Sequence, residues 1–164
     1  MTEQALAQAR FELRQIELFA ANGPGSFTGI CEGLTAARAW GKAFGGKSRG
    51  VSLLEALVNK ARPSSAWVYT ILDARRGEFF LGTFRRTPSE KASATCLVRA
   101  HDQAAADLRA SLPTSLQWQP VEGTLVESIA EIAWKEELAN CPSSAANLDA
   151  YYIRRPDTEV NWKD

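Results

Sequence analysis

From Gly29 to Gly45 a small residue returns at every fourth position: Gly29, Gly33, Ala37, Gly41 and Gly45. No other feature limits the fold of this chain so sharply. The stretch from about 26 to Phe44 otherwise has the pattern of a helix. At 100° per residue, Ile30, Leu34, Ala37, Gly41 and Phe44 share one face. Cys31, Thr35, Arg38 and Lys42 share the opposite flank. A glycine in a helix interior costs about 1 kcal/mol against alanine, so the small-residue ridge needs a compensating contact. Missing side chains let another backbone come close. Two contacts fit the pattern: a helix crossing from elsewhere, or the chain's own sheet.

The flanking sequence gives this helix its ends. Residues 2 to 13 are rich in Ala, Gln, Glu and Leu and predict a helix, and Ile16, Leu18 and Phe19 predict a short buried strand before Asn22-Gly23. "GPGSFTG" is then a turn, with Ser26 or Thr28 as the cap of the glycine-rich helix. Gly45-Gly46 supplies the C-terminal cap. Ser52 and Glu55 form an S-x-x-E capping box for a short helix that Arg62-Pro63 ends. Residues 66 to 86 predict a hairpin, 87 to 95 a loop, and "TCLVRA" a third strand. Further on, a helix is expected at 102 to 111 behind Asp102, and an extended stretch at "TSLQWQPV". Thr124 and Glu127 form a second capping box, opening a helix with Leu125, Ile129, Ile132, Ala133 and Leu138 at core spacing and a stop at Asn140-Cys141-Pro142. One last short strand is expected at Ala150 to Ile153. This alternation of strands and helices argues for an α/β fold.

Inside the glycine-rich segment, "GKAFGGKS" from Gly41 to Ser48 matches the G-x-x-x-x-G-K-[ST] pattern of a phosphate-binding loop. Its context opposes that reading. Such a loop needs a strand before it and a helix starting at its Gly-Lys-Ser, so that free amides and the positive helix end meet the phosphates. Here a helix runs into Gly41, and the next cap waits until Ser52. Lys42 and Lys47 are instead expected as cations near a helix C-terminus. "NGPGSFTG" is not G-x-G-x-x-G either, because Gly25 and Gly29 are four apart.

The rest of the chain offers little catalytic chemistry. His101 stands alone, so no multi-histidine metal site can form within the chain, and no nucleophile is spaced to partner it. Asp73 and Glu78 flank "DARRGE", where a hairpin turn is the simpler reading. Cys31, Cys96 and Cys141 are odd in number and widely spaced, as free thiols of a reducing compartment would be. Nineteen basic residues balance nineteen acidic ones, so no global charge pulls the chain onto RNA, DNA or an anionic membrane. The five tryptophans are scattered and form no stacking platform. No apolar run approaches the ~20 residues that span a bilayer, and "MTEQALAQARFELR" lacks the apolar region of a signal peptide. The cytoplasm is the expected location.

Four segments in order carry a family resemblance: "GPGSFTG" before a Gly/Ala-rich helix, "AFGG…GVSLLEAL", "LDARRGEFF" and a C-terminal "YIRRPD". Together they resemble the bacterial TsaB family, also called YeaZ, from about residue 16 to the end. The resemblance implies an ASKHA fold, which is actin/Hsp70-like and RNase H-like, with two lobes. The lobes would be residues 1–62, a truncated N-terminal lobe, and 63–164, a C-terminal lobe. It implies a non-catalytic role, without cofactor, in making N6-threonylcarbamoyladenosine in tRNA. Its expected partners are a catalytic TsaD-like paralogue and a TsaE-like ATPase, with a homodimer when alone, tRNA contacted only indirectly and no membrane. An inactive or peptidase-like glycoprotease relative acting on protein is the alternative.

The same resemblance assigns a partner interface to Gly29, Glu32, Gly33, Ala36, Ala37, Trp40, Gly41 and Gly45. It assigns a turn motif to Gly23, Gly25, Ser26, Phe27 and Thr28. Two departures stand out. The family pattern G-L-R-I-G is here Gly29-Ile30-Cys31-Glu32-Gly33, which puts a carboxylate at an apolar position. The family's opening strand hairpin with its D-T-S-like motif is expected to be missing, which would leave an apolar edge on the strand at 16 to 21 and favour self-association.

Overall fold

The computed structural model describes residues 2–20, 23–75, 78–85, 95–100 and 120–141. Helix α1 spans Thr2–Ala9 and is followed by a 3-10 turn at Leu13–Gln15. It stops short of the expected residue 13 because Arg10 takes a positive φ of 59°. Strand β1 is Leu18–Ala20, helix α2 is Phe27–Phe44 and strand β2 is Lys47–Arg49. Helix α3 spans Leu53–Ala61, strands β3 and β4 span Trp67–Arg75 and Glu78–Arg85, β5 spans Thr95–Ala100, and helix α4 spans Val126–Leu138. The helix expected at 102 to 111, His101, the strand at Ala150 to Ile153 and all of the loop expected at 87 to 95 except Thr95, which opens β5, lie outside the described residues.

Two sheets form. β1 and β2 run parallel, with Leu18, Phe19 and Ala20 in register with Lys47, Ser48 and Arg49. Helix α2 connects them, so β1–α2–β2 is a strand–helix–strand unit. β3, β4 and β5 form an antiparallel sheet in sequence order. The hairpin and third strand expected from the sequence are therefore present.

The parallel ribbon lies between two helices. Ile30, Leu34 and Ala37 form one apolar cluster on α2, joined by Leu13, Ile16 and Trp40. Val51, Ala56, Ile132 and Ala133 form a second, which Leu18, Ala20, Leu125 and Ile129 join from β1 and α4. Successive side chains of β2 obey the strand alternation. Ser48 reaches α2, whereas Lys47 and Arg49 reach α4. A third cluster joins α3 to the hairpin through Leu54, Leu57, Phe80 and Phe84. Gly82 belongs there for lack of space: a Cβ would sit 2.7 Å from Thr70 Oγ1 and 2.8 Å from the Phe84 ring.

Both expected capping boxes fail. Ser52 is the N-cap of α3, yet its hydroxyl makes no cap bond and is buried without a hydrogen-bond partner. The α3 start is held from elsewhere, because Leu53 N–H donates to the Gly23 carbonyl at 2.9 Å. Leu125, not Thr124, is the N-cap of α4. The Thr124 carbonyl instead accepts from Lys60 Nζ at 2.7 Å, which ties this end to α3. Two residues given core positions face out: Phe44 is 43% exposed and Leu138 is 68% exposed.

Candidate partner surface on α2

The turn before α2 sets its start. Gly23 and Pro24 are buried and joined by a cis peptide bond. Ser26 takes an extended conformation and its Oγ accepts from Gly29 N–H at 3.2 Å, so it is the N-cap that the sequence predicts. A Cβ at Gly29 would lie 2.8 Å from that Oγ. Gly25 is half-buried, while Phe27 and Thr28 are exposed on the first turn. The assigned turn motif thus starts two helices: Ser26 caps α2, and Gly23 holds α3.

The small-residue ridge divides along its length. At its C-terminal end Ala37 and Gly41 are buried. Ser48 of β2 donates its hydroxyl to the Ala37 carbonyl at 3.1 Å. A Cβ on Gly41 would stand 2.5 Å from Ser48 Oγ and 3.1 Å from the Gly46 carbonyl oxygen. This half of the ridge serves the chain's own sheet. Gly45 closes the helix with φ 73°, the left-handed conformation that glycine accepts without strain. It is Gly45 and not Gly46 that caps.

At the N-terminal end Gly29 and Glu32 are exposed, and Gly33 and Ala36 are half-buried. Trp40 packs on the α2 cluster beside Leu13 and Ile16. The structure therefore brings the assigned residues onto one helix but not onto one surface. Gly29, Glu32, Gly33 and Ala36 remain reachable by a second molecule. Ala37 and Gly41 are used internally, and Trp40 is largely so.

The phosphate-loop pattern falls apart in the same geometry. Gly41 lies within α2, Gly45 ends it, and Lys47 and Ser48 belong to strand β2. Lys47 does not complement the helix end as the sequence suggests. It pairs with Glu137 of α4. Arg49, whose side chain is only 5% exposed, reaches Glu137 at 2.8 Å, Glu136 at 3.5 Å and the Cys141 carbonyl at 3.0 Å. Hydrogen bonds from Lys47, and then from Arg49, hold the Glu137 carboxyl below its ordinary pKa. This charged junction, which clamps α4 onto β2, was missed because its partners lie about 90 residues apart. Beside it opens a cleft of about 370 Å³ lined by Arg14, Glu17, Phe44, Lys47, Trp134 and Glu137, among others.

Among the described residues, no group of three or more His, Cys, Asp or Glu could hold a metal ion. No helix among them is long and apolar enough to cross a membrane. A family model described as TsaD, tRNA N6-adenosine threonylcarbamoyltransferase, matches residues 1–147. The chain belongs to that family. Membership ties it to the tRNA threonylcarbamoyladenosine modification.

Two solved structures share the fold. One is YeaZ from Pseudomonas aeruginosa, at TM-score 0.68 and 19% identity, covering 93% of this chain and 82% of that one. The other is an uncharacterized protein with similarity to peptidase YEAZ from Pseudomonas aeruginosa, at TM-score 0.66 and 21% identity, covering 94% and 81%. A search of curated proteins found no match. The motif-based resemblance is borne out at the level of family and fold, and the fold is the α/β, ASKHA-like one it implied.

Proposed function

We propose that this chain is a non-catalytic partner subunit in tRNA N6-threonylcarbamoyladenosine synthesis. It pairs with a catalytic TsaD-like paralogue, which a TsaE-like ATPase joins, in the cytoplasm. The observation that carries the proposal is the open N-terminal half of α2. Gly29, Glu32, Gly33 and Ala36 offer a nearly flat helix surface, and a partner helix can approach a surface of small side chains closely. Glu32 sits within it and is exposed in the free chain. Burying it against apolar groups would cost several kcal/mol, so its partner must present a cation there.

The test is calorimetric titration of the chain with a TsaD-like protein. Binding that Ala36→Arg abolishes, in a variant whose far-UV circular dichroism is unchanged, supports the proposal. No binding by the folded wild-type chain removes it. Glu32→Gln sharpens the result: a tenfold or greater loss of affinity is expected if a cation faces Glu32.

A further inference from the structure

The cleft beside the β2–α4 junction lies at the C-terminal end of α2, away from the open half offered to a partner. It holds about 370 Å³. Two aromatic side chains line it from different elements, Phe44 from the last turn of α2 and Trp134 from α4. They are 43% and 51% exposed, and neither belongs to an apolar cluster among the described residues. Water-facing rings on two walls of one cleft are binding surface that the fold does not consume. The electron-rich faces of such rings attract a cation.

The charges around the cleft point the same way. Within the junction, Lys47 and Arg49 are balanced by Glu137 and Glu136. Arg14 is met by Glu12 at 2.5 Å. Glu17 remains: it lines the cleft, is exposed, and has no cationic partner among the described residues. The C-terminal end of α2, at Phe44 and Gly45 on the same rim, adds partial negative charge. Lys42 of that last turn is not among the lining residues.

This balance selects among ligands. An anion would meet an unbalanced carboxylate and the negative end of a helix. A metal ion would find no group of three or more His, Cys, Asp or Glu among the described residues. A neutral apolar molecule would have to dehydrate the charged rim with nothing in return. A small organic cation meets both demands, with its charge beside the carboxylate and its alkyl groups on the rings.

We propose that this cleft binds a small substituted-ammonium ion, free in solution, through Glu17, Phe44 and Trp134. The site does not depend on the partner surface of α2 or on the function proposed for it.

Titration with choline, followed through the NMR amide signals of Gly45, Gly46 and Trp134, tests this. The wild type should show saturable shifts with a Kd of about 1 mM, the order expected for a ligand of so few atoms. The neutral isostere 3,3-dimethylbutan-1-ol should bind about tenfold more weakly. Glu17→Gln should weaken choline about threefold and leave the alcohol unchanged. Trp134→Leu should weaken choline about fivefold, and Trp134→Phe should recover most of that loss. Glu127→Gln, about two turns away on α4, should change nothing. Phosphatidylcholine vesicles, which carry the same headgroup on a membrane, should not retain the chain. The proposal is overturned if choline gives no saturable shift on the folded wild type at ~20 mM. It is equally overturned if the alcohol binds as tightly, or if Glu17→Gln keeps full affinity. Retention on the vesicles would overturn a free ligand in favour of a lipid.

Discussion

The two halves of α2 carry the same small-residue repeat and use it for opposite purposes. At Ala37 and Gly41 the missing side chains admit the chain's own strand β2. At Gly29, Gly33 and Ala36 they leave the helix surface low and reachable. A periodic sequence signal therefore reports close approach without saying what approaches. The divider is β2, whose Ser48 lies against Ala37 and Gly41.

Breaking the buried half should produce the largest effect. Gly41→Val forces a branched side chain into Ser48 and the Gly46 carbonyl, and about 3 kcal/mol of stability should be lost in urea unfolding. A loss under 1 kcal/mol would mean that β2 can shift away. Arg49→Ala comes next. Breaking a fully buried pair costs about 3–5 kcal/mol. Here Glu136 and Glu137 keep 26% and 18% of their side chains exposed, so about 1–2 kcal/mol is expected once solvent screening is allowed for. Ser26→Ala, at the open end, should cost about 1 kcal/mol, the usual value of an N-cap bond.

Acid should act on the junction between β2 and α4 through Glu137. The folded carboxyl of Glu137 is held below its unfolded value, so its stabilising contribution is complete above the ordinary carboxylate range. It is lost as pH falls through the lowered folded value. Glu137→Gln should flatten that acid limb in thermal unfolding measured from neutral pH downward, and an unchanged limb would assign acid sensitivity to other groups. The smallest effect belongs to Glu32→Arg, where stability should stay within about 0.5 kcal/mol, as at an ordinary surface position. Its consequence should appear only in partner binding.

Much of this was legible in the sequence. Ser26, the apolar face from Ile30 to Gly41, the glycine cap, the hairpin and β5 all follow from local patterns of spacing and capping. Strand β2 was not legible. Lys47-Ser48-Arg49 has no β-branched or aromatic residue, and the bonds that Ser48 Oγ and Arg49 Nη2 make reach groups outside any local pattern, on α2 and α4. A topological clue did exist. A buried strand followed by a long helix calls for a parallel neighbour right after the helix, and Gly45 marks where it must begin. The capping boxes failed for a related reason: the start of α3 finds its bond at the Gly23 carbonyl, thirty residues upstream and invisible to a four-residue pattern. Nor could local spacing foresee the exposure of Phe44 and Leu138, since helical periodicity cannot tell where the partner elements end.

The Gly41–Ser48 contact joins the first and last letters of the string that mimics a nucleotide loop. These two positions share a single allotment of volume. Giving up the hydroxymethyl at 48 removes the closer of the two contacts that a methyl group at 41 would meet and leaves the Gly46 carbonyl oxygen at 3.1 Å, so Ser48→Gly should rescue Gly41→Ala only in part. For sequence change over time, that makes the pair a lock with two keys: a side chain at 41 is expected only in a relative that has given up the hydroxyl at 48.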